Sequence, residues 1–486
     1  SSMPARIPIF LLVLLSAISF SSPSPTNGSD TDLAALLAFK AQLADRLGVL
    51  AGTIPSELGR LHRLRFLGLH ENSLSNAIPA ALGNLTRLEF LYLHLNQLSG
   101  QIPPQMMLRR RNLTQINLYG NGLSGQIPPY LFNNTAMLTF INFGNNSLSG
   151  PIPHAVTSLS MLELLRLDFN QLSGLVPQAM FNMSRLQEIP LVNNRNLTRT
   201  FPSNQSFSLP MLQFISIYGN KFAGRLPSGF ASCQYLQVID LHENSFVDVL
   251  PTWLAKLTNL KKLNLGFNHL IGSIPAAFGN LTKLTQLQLA NGSLTGEIPP
   301  ELGLMQELSY LDLQYNQLIG SIPVHLEKVK RLASLDLSFN NLSGTIPVFL
   351  ANFTYLNTLN LSFNRLEGQI PEGGVFSNLT LKSLVGNPGL CGAPRLRFPP
   401  CLDRNHSSKR HLLQFLLPTL ILAFGAIAIY VYLWFRKKLK KGKDNASVDP
   451  TDAIGHQIVS YHELVRVTNN FSDETHLGMR KLWKSF

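Results

Sequence analysis

The amino-acid sequence predicts an α/β solenoid, a curved superhelix with a parallel concave sheet, followed by one transmembrane helix. Three observations predict it. A leucine frame starts thirteen times, at Leu64, Leu88, Leu113, Leu138, Leu162, Leu186, Leu212, Leu236, Leu260, Leu284, Leu308, Leu332 and Leu356, and reads as a period of 24 or 25 residues. A unit that short cannot bury an apolar face alone, so its copies must stack. Within each copy, apolar and polar residues then alternate. Last, residues 412–435 form a run of 24 residues without a charge, enough to cross the roughly 30 Å hydrocarbon core of a bilayer.

Residues 332–347 show the unit most cleanly. Leu335, Asp336 and Leu337 alternate with period two, so the leucines point inward and Asp336 outward. One short strand per repeat is expected, stacked into a sheet with a leucine side and a polar side. Asn340 comes where the chain leaves the strand, and its amide can donate and accept inside the turn. Twelve of the thirteen copies keep that asparagine; the tenth has Gly292, with Asn291 one place early. Gly344 gives freedom at the next bend, and Pro347 suits a short outer strand or a turn.

The frame LxxLxxLxLxxNxLSGxIPxxLGNL resembles the plant extracellular class of leucine-rich repeats, over residues 52–392. Composition excludes other classes. Charged residues make up 14% of the chain, the formal net charge is +13, and three cysteines in 486 residues do not make a disulfide scaffold. Residues 1–24 read as a secretory signal peptide: Arg6 precedes an apolar run from Ile7 to Phe20, with Met3 as the start. Residues 25–50 read as a cap helix in which Leu33, Leu36, Leu37 and Leu43 share a face. It resembles the helix before the first repeat in plant receptors of this class, but the paired cysteines that follow there are absent. The cap reads as incomplete.

The array, residues 51–380, carries the expected recognition surface. Three positions per strand face outward: the residue before the first strand leucine, the one between the two, and the one after. The first column holds Phe66, Phe90, Phe140 and Phe214; the central one Tyr92, Arg166 and Asp240; the third Tyr119, Asp168, Tyr218 and His242. These are the expected ligand-binding residues, because aromatics on a rigid sheet bury much area at little entropy cost. His70 and His94 share the third column. Without a carboxylate at ligand spacing, the histidines are not expected to bind metal. Fifteen Asn-x-Ser/Thr sequons on the expected extracellular side include Asn84, Asn112, Asn133, Asn145, Asn182, Asn196, Asn204, Asn280, Asn291, Asn341, Asn352, Asn360 and Asn378. That density fits a secreted scaffold, and a glycan at Asn360, in the central column, would block the last repeat.

Other motifs dissolve into the repeat. Residues 120–125 satisfy GxGxxG but are the turn after a strand. Asp168, Phe169 and Asn170 are a strand end, Cys233 reads as a buried thiol, and Arg109, Arg110 and Arg111 as a solvated basic knot. No cofactor and no nucleic-acid partner are expected.

Residues 381–411 resemble the closing cap of the family and an extracellular juxtamembrane stretch, which implies a Cys391–Cys401 disulfide. Beyond the apolar run, six basic residues from Arg436 to Lys443 place residues 436–486 in the cytosol and favour the lipid bilayer surface. That tail resembles the lead-in to a plant receptor kinase, yet no VAIK, HRD or DFG element follows, so the kinase domain is expected to be absent and the chain not to be an enzyme. As a whole the sequence resembles a plant receptor-like kinase of the immune branch that includes flagellin and elongation-factor receptors, truncated before its kinase. The resemblance implies a single-pass plasma-membrane glycoprotein with its N-terminus outside. It would bind an extracellular peptide or protein in defence and signal through a co-receptor kinase. Two alternatives stand beside it: a fragment of a receptor kinase whose catalytic exons are missing, or an inhibitor of secreted cell-wall-degrading enzymes.

Overall fold

The computed structural model describes residues 51–107, 112–133, 135–194, 196–201, 207–401 and 419–434. The chain divides into two units, residues 1–401 and 402–486. In the first, the outward-facing strand of every repeat pairs in parallel with the next, from Phe66–Gly68 to Thr358–Asn360, giving a sheet of thirteen strands among the described residues. The register is the repeat itself: Phe66 lies beside Phe90, Leu67 beside Leu91 and Gly68 beside Tyr92. Leu335 and Leu337 are fully buried, as are their counterparts along the array. Each such leucine contributes about 1.5–3 kcal/mol of burial.

The asparagine joins repeats rather than closing one turn. Asn340 Nδ2 donates to Leu337 O at 3.1 Å in its own repeat and to Leu313 O at 2.9 Å in the preceding one. Its Oδ1 accepts the Leu318 N–H at 3.0 Å, also in the preceding repeat. The series runs one step past the thirteenth copy. Asn387 donates to Leu384 O and Leu361 O, both at 2.9 Å, and accepts from Leu366 N at 3.0 Å.

Two expectations need correction. All repeats but one have a second strand: the segment after the asparagine forms a second parallel ladder of eleven strands, with three more near the C-terminal end of the array, among the described residues, while the repeat that starts at Leu308 has only a bridge at Ile319. Gly344 lies inside one of these strands, Ser343–Thr345, at a φ of +75°, where an unbranched backbone relieves the left-handed turn. The period is also not uniform, because Leu186 and Leu212 are 26 residues apart. Phenylalanines of the longer repeat pack on its predecessor: Phe201 lies 4.9 Å and Phe207 5.7 Å from the Phe181 ring. The expected transmembrane helix 412–435 lies partly outside the described residues; within it residues 419–434 are described and helical. Among the described residues no helix is long and apolar enough to cross a membrane.

The other faces follow from the same sequence frame. After the Ile-Pro pair of the repeat frame the chain makes a 3-10 turn, as at Val348–Asn352, whose preceding Pro347 sits at φ −65° and ψ 131°. The ring fixes φ and lacks the N–H that a helix start would leave unpaired. Cys233 is fully buried there, and burial pushes its thiol up to about 11. At the end of the array Cys391 and Cys401 are bonded at 2.04 Å. The expected signal peptide, cap helix, basic knot 109–111 and cytosolic tail lie outside the described residues.

Candidate ligand-binding surface

On the thirteen-stranded sheet the expected binding residues fall into separate groups, not one continuous stripe. Strand register builds the first. Phe66, Phe90 and Tyr92 meet as a cluster, with Tyr92 edge-on to Phe66 at 5.6 Å. The Phe66 ring also occupies the space above Gly68, where a Cβ would lie 2.7 Å from it. Tyr92 donates its hydroxyl to Gln115 Oε1, and burial raises its phenol above the ordinary range. His70 and His94 stack beside them, 4.4 Å apart and within 5° of parallel. His94 is held down to about 4, first by burial and then by the neighbouring His70, with Glu71 opposing. It is neutral at physiological pH.

A second group is ionic. Arg166 Nη2 lies 2.5 Å from Glu188 Oε2 on the next strand. Asp168 and Tyr119 close over Gly144, where a Cβ would meet the Asp168 carboxylate at 2.9 Å and the Tyr119 ring at 3.2 Å. Burial raises the Asp168 carboxyl, against its own backbone hydrogen bond and Arg166. The third group centres on Asp240. His242 Nδ1 lies 2.5 Å from one carboxylate oxygen, Lys262 Nζ donates to the other at 2.7 Å, and Tyr218 stacks on His242 at 4.3 Å. Burial raises the Tyr218 phenol, with Asp240 adding to the shift. Phe140 and Phe214 stand half-buried in their strands and make no ring contact among the described residues.

Two features escaped the sequence reading. The residue before each ladder asparagine takes a left-handed backbone, φ 51–55° at Glu71, Leu95, Phe169, Phe267, Tyr315, Phe339 and Phe363 among others. Its N–H reaches a carbonyl of the next repeat, as Phe339 N does to Ser362 O at 2.9 Å. This fourth column is apolar at recurring positions, which was the available signal. Tyr315, Phe339 and Phe363 stack at 4.1 and 4.3 Å. The second concerns the histidines. The expectation that no carboxylate lies within reach is corrected: His70, Glu71 and His94 each bring a ligand atom within 4.8 Å of the others. Glu71 was hidden because its left-handed turn, and not a regular spacing, brings it back to the pair.

The sequon asparagines are exposed where described, except Asn360; Asn204 lies outside the described residues. Asn360 Nδ2 already donates to Asp336 Oδ2 and Ser338 Oγ, both at 3.1 Å. A glycan on that nitrogen would displace those bonds.

Known proteins can now be set beside this geometry. A profile described as Leucine rich repeat matches residues 234–294, and another of that description matches residues 112–134, 137–159, 307–329, 331–353 and 355–376. A receptor-like protein kinase by name, from Arabidopsis thaliana, is 33% identical over 119 residues, covering 22% of this chain and 12% of its own length. The match therefore spans a small part of that relative. The crystal structure of the Arabidopsis receptor kinase HAESA ectodomain with an N-terminally extended IDA peptide hormone superposes with a TM-score of 0.59 at 29% identity, covering 70% of this chain and 64% of that one. HAESA with IDA and the co-receptor SERK1 gives 0.51 at 28% identity, covering 73% and 74%. The chain carries leucine-rich repeats in a curved solenoid. More particularly, it is similar to plant receptor-kinase ectodomains.

Proposed function

We propose that this chain is a cell-surface receptor-like protein that binds an extracellular peptide along the thirteen-stranded sheet. It acts by binding rather than by catalysis, in defence-related recognition, and passes its signal to a partner co-receptor kinase. The observation that carries the reading is the third group: a buried carboxylate held between His242 and Lys262, with Tyr218 stacked beside it, on a backbone fixed by repeat-to-repeat hydrogen bonds. Such a place offers an aromatic platform and preset charge to an extended chain at little entropic cost. The HAESA complexes support a peptide as the ligand and a co-receptor as the partner.

The test is a screen of secreted plant and microbial peptides against the full chain by microscale thermophoresis. A true ligand loses at least about tenfold in affinity on Tyr218→Ala, a typical hot-spot loss, and is unaffected by Tyr355→Ala at an exposed site away from the sheet face. Equal effects of the two substitutions would refute the assignment of the sheet face.

A further inference from the structure

Repeats one and two bring together three groups whose chemistry the peptide reading does not use. Backbone bonds from Leu69 N to Tyr92 O at 2.8 Å and from Glu71 N to His94 O at 2.9 Å continue the strand register beyond the sheet. They set His70 directly beside His94. Glu71 follows in its left-handed turn at φ 55°, which returns its carboxylate to the imidazole pair. One nitrogen from each ring and one carboxylate oxygen then lie within 4.8 Å of one another.

The inward nitrogens are the unusual feature. Nδ1 of His70 and Nδ1 of His94 are both buried and have no hydrogen-bond partner among the described residues. Buried polar atoms are nearly always satisfied, so two orphans side by side call for a third party. A second hydrogen-bonding group cannot be either ring, because the rings are stacked face to face. Tyr92 stands edge-on to both, at 6.1 Å from His70 and 6.0 Å from His94, and with Phe66 forms an apolar wall. Such a wall limits solvent access around a bound ion.

We propose that His70, Glu71 and His94 form a site for a divalent transition-metal ion of the zinc class. Two imidazoles and one carboxylate are a donor set such ions favour, with metal–nitrogen distances of about 2.0–2.1 Å. The three ligand atoms lie within 4.8 Å of one another, and each is carried by a side chain that turns about single bonds. Three protein ligands leave a fourth position for water or a carboxylate of a bound chain to complete the tetrahedron. The inference stands apart from the peptide reading, since the ion binds without any peptide.

The experiment uses the full chain carrying no oligohistidine tag, stripped with chelator and titrated with cobalt(II), whose visible d–d absorption reports a tetrahedral site, and then with zinc(II) to displace it. The expected result is one saturable cobalt band that zinc abolishes. His94→Gln removes the band, Glu71→Gln weakens cobalt binding by about tenfold or more, and the exposed His325→Gln leaves it unchanged. Circular dichroism in chelator verifies that each variant is folded; if His94→Gln is not, Glu71→Gln decides alone. Absence of a saturable band in the wild type, or a band untouched by Glu71→Gln, overturns the proposal.

Discussion

Asp240 and Asp312 occupy the same strand position three repeats apart, and they are 4% and 6% exposed. Their chemistry diverges. Burial raises Asp240, but hydrogen bonds from His242 and Lys262 outweigh it and hold the carboxyl below its ordinary range. Burial also raises Asp312; there the bonds from Gln314 are weaker opposition, Asp336 on the next strand adds repulsion, and the net shift is upward. The backbone at both is the same parallel strand. What differs is the neighbouring side chains: His242 of the same repeat and Lys262 of the following one in the first case, Gln314 of the same repeat and Asp336 of the following one in the second. The scaffold is interchangeable along the array and the surface is not.

The comparison presumes that common scaffold, and breaking it should have the largest effect. Asn340→Ala removes the acceptor of the Leu318 N–H and the donor to Leu313 and Leu337. Leaving those buried groups unpaired is expected to cost on the order of 2–3 kcal/mol. Urea unfolding followed by circular dichroism checks it; a loss below about 0.5 kcal/mol would mean the ladder contributes little.

Asp240→Asn comes next. At pH 7 it removes the charge that His242 and Lys262 satisfy, with an expected loss of about 1–2 kcal/mol. The folded carboxyl is depressed, so its contribution is present above the unfolded value and lost as pH falls through the folded one. Melting temperatures of wild type and variant should therefore differ at pH 7 and converge in strong acid. A gap that stays constant across the range would contradict the ionic account.

Much of the scaffold was legible beforehand. The thirteen leucine frames give the thirteen strands, and the period-two alternation at Leu335, Asp336 and Leu337 gives their faces. The site was legible only one residue at a time. Tyr218, Asp240 and His242 stood out as types, but their union with Lys262 depends on which residues a stacking register sets side by side. Glu71, Phe339 and Phe363 were missed for a different reason. They take a left-handed backbone that bulky side chains rarely adopt, and no local composition announces it. Asn387 escaped because the leucine frame around it has decayed while the hydrogen-bond role survives.

Gly292 sharpens the comparison from the scaffold side, since the tenth repeat lacks the ladder amide. Its φ is not in the left-handed range, and a Cβ there would lie 3.0 Å from Asn316 Oδ1, the neighbour that an asparagine faces in other repeats. Gly292→Asn should restore an acceptor for the Leu270 N–H and stiffen the unfolded chain less favourably for disorder. The expected gain is about 1 kcal/mol, read as an increased urea midpoint. A decreased midpoint would show that Asn316 cannot give way.

The smallest expected effect tests the other aspartate. Asp312→Asn should stabilise the fold at pH 7, by less than about 1 kcal/mol, where Asp240→Asn destabilises it. The folded carboxyl is raised, so the native state binds a proton more readily than the unfolded chain. The favourable contribution is full below the unfolded value and is lost as pH rises through the folded one. The variant's advantage should accordingly appear on going from acid to neutral pH, the reverse of the Asp240 pattern. The array already contains the substituted arrangement: Asn360, at the same position two repeats on, donates to Asp336 Oδ2 at 3.1 Å. An asparagine at 312 would face Asp336 from the opposite strand and keep an oxygen for the Gln314 N–H, which Asp312 Oδ1 accepts at 3.2 Å. A variant less stable than wild type at pH 7 would show that the Gln314 bonds outweigh burial and repulsion, and that the two aspartates are more alike than their neighbours imply.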